Sequence, residues 1–517
     1  MDITSFHQIA RAIIEWGAIV VALLLGLGAL AIAVMYVVDK VQTRHAIRRN
    51  YPVVGRFRYL FEHLGEFFRQ YFFAMDREEL PFNRAERAWV YRAAKEADTT
   101  VAFGSTRPLT IEGDVFFLNS AFPTLDEDAV QPRPVTVGEG FCLKPYTNSS
   151  ILNISAMSFG AISEPAVRAL ARGAREAGVW MNTGEGGLSR YHLESGADLV
   201  FQIGTAKYGV RDQAGQLSDE KLLAIAAHEQ VRMFEIKMSQ GAKPGKGGIL
   251  PGRKVTEEVA LIRGIEPGVD SISPNGHPDI RCADDLLDMI THIRQLTGKP
   301  VGFKTVVGQL DFFHDLFRAI HRRGPDVAPD FITIDSADGG TGAAPQPLID
   351  YMGMPLQESL PLVVDLLQEY GLRERIKVIA SGKLIGPAKV AWALAVGADF
   401  CVSARGFMFA LGCVQALQCN KNTCPTGITT HDKDLQRGLV PAEKSLRVAA
   451  YARQLAYSVG IIAHSCGVTE PRGLQRGHVR VIASTGASRS MAELHPEPAV
   501  KAEYAGFADA LGRREAG

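Results

Sequence analysis

Short apolar segments alternate with helical patterns between residues 151 and 403, and this alternation restricts the possible folds more than any other feature of the sequence. Eight segments have the length and composition of buried strands. They lie at residues 151–156, 179–183, 199–203, 233–237, 301–306, 331–335, 377–381 and 399–403. Because strands that alternate with helices form parallel sheets, eight such units predict an α/β fold of the TIM (β/α)8 barrel type with insertions, the longest between the fourth and fifth strands. An open doubly wound sheet is the alternative.

Residues 16–38 form an apolar segment without a charge. As a helix it would extend about 34 Å, enough to cross a hydrocarbon core of about 30 Å. Arg11 is the only lysine or arginine before the segment, whereas several basic residues follow it. These are Lys40, Arg44, Arg48 and Arg49. The positive-inside rule therefore predicts a single-pass protein of the cell inner membrane with its catalytic domain in the cytoplasm. A cleavable signal peptide and a buried core helix are the alternatives.

The sequence suggests five parts. They are a short tail (1–15), a transmembrane helix (16–38), a small helical and extended region (39–134), the barrel (135–470) and a C-terminal tail (471–517). Within the third part, residues 56–73 have the pattern of amphipathic helices. Their aromatic side chains either pack on the main domain or lie at the membrane surface.

Composition excludes some classes of function. Lysine plus arginine equal aspartate plus glutamate at 56 each, so no excess of positive charge indicates a nucleic-acid partner. Seven cysteines are an odd number and form no short disulfide framework. A reduced, cytosolic environment is therefore favoured.

Glycine-rich loops follow several predicted strands. They are TGEGG (183–187), KMSQGAKPGKGG (237–248), DSADGGTGA (335–343), SGKL (381–384) and SARG (403–406). The loops after the last two strands of a barrel are its usual phosphate site, and Arg405 adds a cation there. Neither a dinucleotide fingerprint nor a P-loop is present. Flavin mononucleotide (FMN) fits best, because Lys237 and Lys304 at strand ends could stabilise the anionic reduced ring. Glycines that only form turns, and lysines that only form salt bridges, are the alternatives.

Three cysteines in the segment 413–424 have the spacing C-x5-C-x4-C, about ten residues after the eighth strand. This spacing is compatible with an iron–sulfur cluster, since a three-iron cluster needs no fourth cysteine. It is also compatible with zinc, for which His431 could be the fourth ligand. Cysteines that only pack in the core are the third possibility.

Five motifs together resemble the FMN-binding synthase domain of glutamate synthase. They are ISAMSFGAIS, NTGEGG, QGAKPGKGG-x-LPG-x-KV, DGGTGA and LGC-x5-C-x4-CPTG, in that order, and the resemblance extends from about residue 135 to 455. It implies a TIM barrel that binds FMN, with a 3Fe-4S cluster on Cys413, Cys419 and Cys424. It also implies an oxidoreductase that forms an imine from 2-oxoglutarate and ammonia and reduces it to glutamate with a hydride from FMN.

The same resemblance implies roles for individual residues. Glu185, Lys243 and Arg263 match positions around the 2-oxo acid, so we expect Lys243 and Arg263 to bind substrate. We expect catalytic roles for Glu185, Lys237 and Lys304. The expected cofactor-binding residues are Ser158, Gln240, Gly339, Gly340, Thr341, Gly342, Ser381, Gly382, Lys383 and Arg405.

The sequence departs from the family pattern in three respects. Lys246 and Ile249 stand where the family motif EGGQLPG has a carboxylate and an amide. The chain begins Met1-Asp2, without the N-terminal cysteine of a glutaminase half, so we expect ammonia from outside or from a separate glutaminase. No segment resembles an NAD(P)H-oxidising subunit, so we expect a separate electron donor, a ferredoxin or a reductase. Alternatives are a flavin dehydrogenase that oxidises a small acid or amine for a membrane or protein acceptor, and a non-catalytic electron-transfer or assembly subunit.

Overall fold

The computed structural model of the chain describes residues 3–507, with side chains at all of them except 3–6, 66 and 67. Residues 1–2 and 508–517, which belong to the two expected tails, lie outside this range. The five-part division stays a prediction. The chain forms two compact units, Met1–Ala85 and Glu86–Gly517.

The first unit is helical. It contains α1 (Ile3–Val41), α2 (Ala46–Asn50) and α3 (Gly55–Phe68), and a π-helical turn (Arg69–Phe73) follows α3. The apolar segment 16–38 lies within α1, and 56–73 is helical as expected. Among the described residues, His7–Val41 is the one stretch whose length and apolar composition suit a membrane span.

The second unit contains all the strands in the described part of the chain. They are β1 (Val115–Phe117), β2 (Val135–Val137), β3 (Tyr146–Asn148), β4 (Leu152–Ile154), β5 (Met181–Asn182), β6 (Leu199–Ile203), β7 (Val231–Lys237), β8 (Ile249–Leu250), β9 (Ser271–Ile272), β10 (Val301–Val306), β11 (Phe331–Asp335), β12 (Lys377–Ser381), β13 (Phe400–Ser403), β14 (Val479–Ile482) and β15 (Ser488–Ser490).

Its helices continue the numbering. They are α4 (Arg84–Ala94), which begins at the unit boundary, α5 (Glu164–Ala177), α6 (Arg190–Leu193), α7 (Asp219–Ala226), α8 (Glu257–Arg263), α9 (Ala283–Thr297), α10 (Asp311–Arg323), α11 (Gln346–Tyr351), α12 (Leu356–Glu369), α13 (Pro387–Val396), α14 (Arg405–Leu411), α15 (Lys433–Gln436), α16 (Pro441–Ser465) and α17 (Met491–Leu494).

Eight parallel strands close into a barrel in the order β4-β5-β6-β7-β10-β11-β12-β13. All eight predicted strands are confirmed, and the longest insertion, which contains β8 and β9, lies between the fourth and fifth of them. An open sheet is excluded because the last strand pairs with the first, with Val402 opposite Asn153 and Ser403 opposite Ile154. The TIM-barrel prediction is therefore correct.

Aromatic residues fill the barrel near the amino ends of its strands. Trp180 packs edge-on against Phe400 with ring centroids 4.8 Å apart, and the β2–β3 hairpin places Tyr146 against the same indole at 6.1 Å. Trp180, Phe331 and Phe400 are fully buried. Because this end of the barrel is plugged, the polar groups at the carboxyl ends of the strands face the accessible mouth.

Candidate active site at the mouth of the barrel

Two lysines lie side by side at the carboxyl ends of neighbouring strands. Lys237 ends β7, and the backbone register places it opposite Lys304 of β10. Both side chains are buried. Lys304 lines a small cavity inside the barrel together with Asn182, Glu235 and Thr333. The two expected catalytic lysines are therefore neighbours.

Glu185 forms the anionic centre of the site. Its Oε1 lies 2.6 Å from Lys237 Nζ, which also donates to the amide oxygen of Gln240. Burial alone would raise the pKa of the Glu185 carboxyl, but Lys237, Lys243 and Arg263 together outweigh it and lower that pKa. Glu185 is therefore ionised near neutral pH.

Two glycines make room for this carboxylate. A Cβ added at Gly204 would stand 2.6 Å from Glu185 Oε2, and one added at Gly248 would stand 2.6 Å from Oε1. Gly248 belongs to the glycine-rich loop after β7, so that loop closes over the Glu185 side chain. Any larger residue at either position would displace the carboxylate.

Arg263 reaches the site from the carboxyl end of α8. Its Nη1 donates to Ser271 Oγ at 3.1 Å, and its guanidinium lies over the Tyr208 ring at 5.1 Å. Nη2 is 3.5 Å from Ser158 Oγ and from the Phe159 carbonyl oxygen. The Nε atom is buried without a hydrogen-bond partner among the described residues. A buried donor without a partner is uncommon, and a bound anion would satisfy it.

Lys243 is the third cation near Glu185. Its Nζ donates to the Ala343 carbonyl oxygen at 3.3 Å, which connects the loop after β7 to the loop after β11. Burial, reinforced by the charge of Lys237, lowers the pKa of Lys243 to about 8. Lys237 thus contacts the Glu185 carboxylate, Lys243 and Arg263 act on it through their charge, and these four groups together carry a net positive charge.

The expected phosphate cradle is a set of loops in close contact. Ser381 Oγ donates to Asp335 Oδ1 at 2.8 Å, while the backbone N–H of Gly241 donates to Asp335 Oδ2 at 2.9 Å. Gly382 has a φ of 127°, and a Cβ there would stand 2.2 Å from Ser336 Cβ. Only glycine fits at this position. Asp335 therefore ties together the loops that follow three strands.

Arg405 borders the same cradle. Its Nη2 donates to the Asp338 carbonyl oxygen at 3.2 Å, and Lys383 Nζ lies 2.8 Å from Asp338 Oδ2. A Cβ at Gly340 would stand 3.1 Å from Arg405 Nε, whereas one at Gly342 would meet nothing within 4 Å. Glycine backbone, open space and two cations are what a phosphate group requires. Thr341 lies in the same loop, where its Oγ1 donates to the Ala343 carbonyl oxygen at 3.0 Å.

The cysteine loop follows α14. Three of its non-glycine residues have left-handed backbone conformations, Gln415, Leu417 and Asn422, with φ between 54° and 59°. Such conformations are costly and persist where the surroundings determine them. Lys254 Nζ bonds the Cys419 carbonyl oxygen at 3.3 Å and the Ala161 carbonyl oxygen at 2.6 Å. The loop containing Cys413, Cys419 and Cys424 is thereby attached to the loop after β4.

His431 is the residue that the zinc alternative requires as fourth ligand. His431 Nε2 is hydrogen-bonded to the Gly160 carbonyl oxygen at 2.9 Å. Among residues 3–507, no group of three or more histidine, cysteine, aspartate or glutamate side chains is arranged to hold a single metal ion.

Several contacts in the site involve residues that the sequence did not single out. Tyr208 supports Arg263, Ser271 links the two through hydrogen bonds, and His277 Nε2 contacts the Lys237 carbonyl oxygen at 3.1 Å. Lys254, which bonds the cysteine loop, is a fourth such residue, and it could have been found because it lies in the motif LPG-x-KV. The other three come from segments whose proximity depends on the fold.

Comparisons with known proteins agree with this architecture. Residues 128–469 match the family model described as the conserved region in glutamate synthase. The chain is 40% identical over 500 residues to the glutamate synthase large subunit-like protein YerD of Bacillus subtilis (strain 168), covering 89% of this chain and 94% of that protein. It is 35% identical over 340 residues to the archaeal-type glutamate synthase [NADPH] of Thermotoga sp. (strain RQ2), covering 64% of this chain.

The chain spans 62% of that Thermotoga relative. A solved structure of mandelate oxidase with benzoyl-formic acid aligns with a TM-score of 0.42 and 14% identity, covering 77% of this chain and 90% of that one. This likeness is too weak to support an inference. The family model and the Bacillus relative together establish that the chain belongs to the glutamate synthase family of oxidoreductases, which act on CH–NH2 donors.

Proposed function

We propose that this protein is a membrane-anchored FMN and iron–sulfur oxidoreductase that aminates 2-oxoglutarate reductively to glutamate, with ammonia supplied from outside the chain. The observation that carries the proposal is the cluster of Lys237, Lys243 and Arg263 around the single carboxylate of Glu185. A dianionic 2-oxo acid matches this excess of positive charge. Family membership supports the same reaction.

FMN fits the cradle formed by the loops after β11, β12 and β13. Gly340, Gly382 and Arg405 would hold its phosphate, and Lys237 and Lys304, which are neighbours on adjacent strands, would supply positive charge to its ring. When bound, FMN would supply the hydride that reduces the imine. The protein residues would bind, orient and exchange protons with the substrate.

Each residue of the cationic cluster has a distinct role in this proposal. Arg263 and Lys243 bind the two carboxylates of the substrate. Ionised Glu185 accepts a proton from ammonium, which leaves ammonia free to attack the C2 carbonyl carbon. Lys237 donates the two protons with which the carbonyl oxygen leaves as water, and it regains the first from the added nitrogen and the second from Glu185. Its contact with Glu185 at 2.6 Å lets the two groups exchange the proton.

Cys413, Cys419 and Cys424 would hold a 3Fe-4S cluster. Such a cluster distributes its thiolate ligands over several iron atoms, so they need not converge on one ion. The cluster would accept electrons from a separate donor, a ferredoxin or a reductase. Helix α1 would anchor the protein in the cell inner membrane, with the barrel in the cytoplasm.

One observation favours a flavin dehydrogenase of a small acid or amine instead. Ile249 is half-buried in β8, next to Gly248, and Gly248 abuts the Glu185 carboxylate. An aliphatic side chain there cannot offer the amide of the family motif, and polar groups set specificity.

Ile249→Gln is expected to increase the affinity for 2-oxoglutarate relative to monocarboxylic oxo acids, measured by competition with the reduced protein. An unchanged ratio would remove Ile249 from the substrate site.

The pH dependence of substrate binding tests the role of Lys243. Its pKa of about 8 means that it loses its proton above that pH. We expect the affinity for 2-oxoglutarate to fall by about tenfold per pH unit above this value. Lys243→Arg is expected to remove the break, because a guanidinium stays protonated. The measurement is a binding titration at pH 7 to 10.

The titration of Lys243 does not itself destabilise the fold over this pH range. The pKa of Lys243 in the folded protein lies below the ordinary lysine value of 10.5, so at this residue the unfolded chain binds more protons between about pH 8 and 10.5. The contribution of Lys243 to folding stability therefore rises over the pH range in which substrate affinity falls. A break at the same pH in the Lys243→Arg variant would contradict the assignment.

Arg405 is expected to bind the FMN phosphate. A charge-assisted contact is worth about 1.5–3 kcal/mol, so Arg405→Met is expected to weaken FMN binding about ten- to hundredfold. Arg437→Met is the matched control, since Arg437 is an exposed arginine that pairs with Asp434. The measurement is FMN release on dilution, followed by fluorescence. Equal retention in both variants would exclude Arg405 from the cradle.

A further inference from the structure

Helix α3 has an exposed apolar face. Phe57, Leu60 and Phe61 are 50%, 49% and 65% exposed. Their spacing places them on one side of the helix. The Phe57 and Phe61 rings stack on each other with centroids 6.4 Å apart. We name the surface formed by Phe57, Leu60 and Phe61 the phenyl face. Exposed apolar side chains in such a row are unfavourable in water.

Asp39 ties the beginning of α3 to the end of α1. Its carboxylate is fully buried and accepts hydrogen bonds from Arg48 at 2.7 and 2.9 Å and from Arg56 at 2.8 and 2.9 Å. The backbone N–H of Val53 donates to the same carboxylate at 3.0 Å. We name this arrangement the Asp39 latch. The side chain of Arg56, in the first turn of α3, thus bonds directly to Asp39 in the last turn of α1.

The latch lies at the boundary of the apolar segment. The uncharged residues end at 38, so a bilayer that surrounds them ends near Asp39. Lys40, Arg44 and Arg49 lie in the same region and add positive charge next to it. Cytoplasmic leaflets carry anionic lipids, which attract basic segments of this kind.

We propose that α3 is an interfacial helix that lies on the cytoplasmic leaflet with its phenyl face among the lipid acyl chains. The inference rests on the membrane anchoring proposed above. The phenyl face supplies the apolar contact, the basic residues supply attraction to anionic headgroups, and the Asp39 latch keeps α3 at the depth of the membrane surface. The occupant of the phenyl face is therefore the lipid bilayer itself.

Depth-dependent fluorescence quenching tests the proposal. The full-length protein is reconstituted into phosphatidylglycerol vesicles with or without brominated acyl chains, as the Phe61→Trp or the His63→Trp variant. Position 63 is exposed and lies about 160° around the helix from position 61. The four native tryptophans are common to both variants, so subtracting the unsubstituted protein isolates the new one. We expect brominated lipid to quench the tryptophan at position 61 about fivefold more than that at position 63, because such helices bury one face about 5–10 Å deep.

The latch is tested in the same assay. Asp39→Asn in the Phe61→Trp protein removes the charge that binds Arg48 and Arg56, so quenching at position 61 is expected to fall. Vesicle-bound protein with equal quenching at positions 61 and 63 would overturn the interfacial helix and leave the anchor intact. Protein that fails to float with the vesicles would overturn both. If Asp39→Asn left the quenching at position 61 unchanged, the Asp39 latch would not be what keeps α3 at the membrane surface.

Discussion

Glu185→Gln is expected to reduce turnover by about 10²–10⁴-fold while the protein keeps its fold and its FMN. Glutamine has the same shape as glutamate, so it fits between Gly204 and Gly248. It cannot accept a proton from ammonium. The substitution also removes the negative charge next to Lys237, Lys243 and Arg263, and this makes the site more positive.

The expected signature is therefore a separation of kcat from substrate affinity. Turnover falls, whereas the affinity for 2-oxoglutarate is unchanged or increases, because the dianion meets fewer like charges. Steady-state kinetics and a binding titration of the same variant measure the two quantities. A purely structural role of the Glu185–Lys237 pair predicts the opposite pattern, with a lower melting temperature, weaker binding and FMN loss. That pattern would exclude Glu185 as the proton acceptor.

Cys419→Ser is expected to remove most of the iron from the protein and to leave FMN bound. Purified wild-type protein is expected to contain about three irons per chain, the number in the proposed 3Fe-4S cluster. The residues expected to hold the FMN phosphate, Gly340, Gly382 and Arg405, are distinct from the three cysteines, although the cysteine loop follows the helix that Arg405 begins. Iron analysis and the flavin spectrum of the same sample measure both outcomes.

Cys282→Ser is the matched control, because Cys282 is an exposed cysteine that precedes α9. We expect this variant to retain its iron. Stoichiometric zinc without iron in the wild type would refute the cluster. So would full iron content in the Cys419→Ser variant.

The barrel could be predicted from the sequence because its strands are buried on both sides. Segments such as 331–335 are short and apolar, and helical patterns of suitable length separate them. The antiparallel pair β8–β9 could not be predicted in this way. Each of these strands has two residues, and their partners lie more than twenty positions apart in the chain. Such short pairs leave no period to detect.

The candidate site shows the same division. Lys237 and Lys304 lie in the carboxyl-terminal halves of predicted strands, and the glycine loops follow predicted strands. All of them could be identified because parallel strands in a barrel end at the same face. Tyr208 and Ser271 have no such marker. They meet Arg263 only because the insertion between β7 and β10 folds back over the loop after β6. A contact that depends on the path of an insertion cannot be predicted from local pattern.

An anaerobic titration of the reduced protein tests the proposed reaction most directly. Purified protein is reduced with dithionite, freed of excess reductant and mixed with 2-oxoglutarate, with ammonium, or with both, while the flavin absorbance is followed. We predict that the flavin is reoxidised only when both are present, with glutamate formed in equal amount. Glu185→Gln is expected to slow this reoxidation. The synthase account would be contradicted if the flavin stayed reduced in the presence of both substrates. If a small acid or amine then reduced the oxidised flavin, the protein would be a dehydrogenase instead.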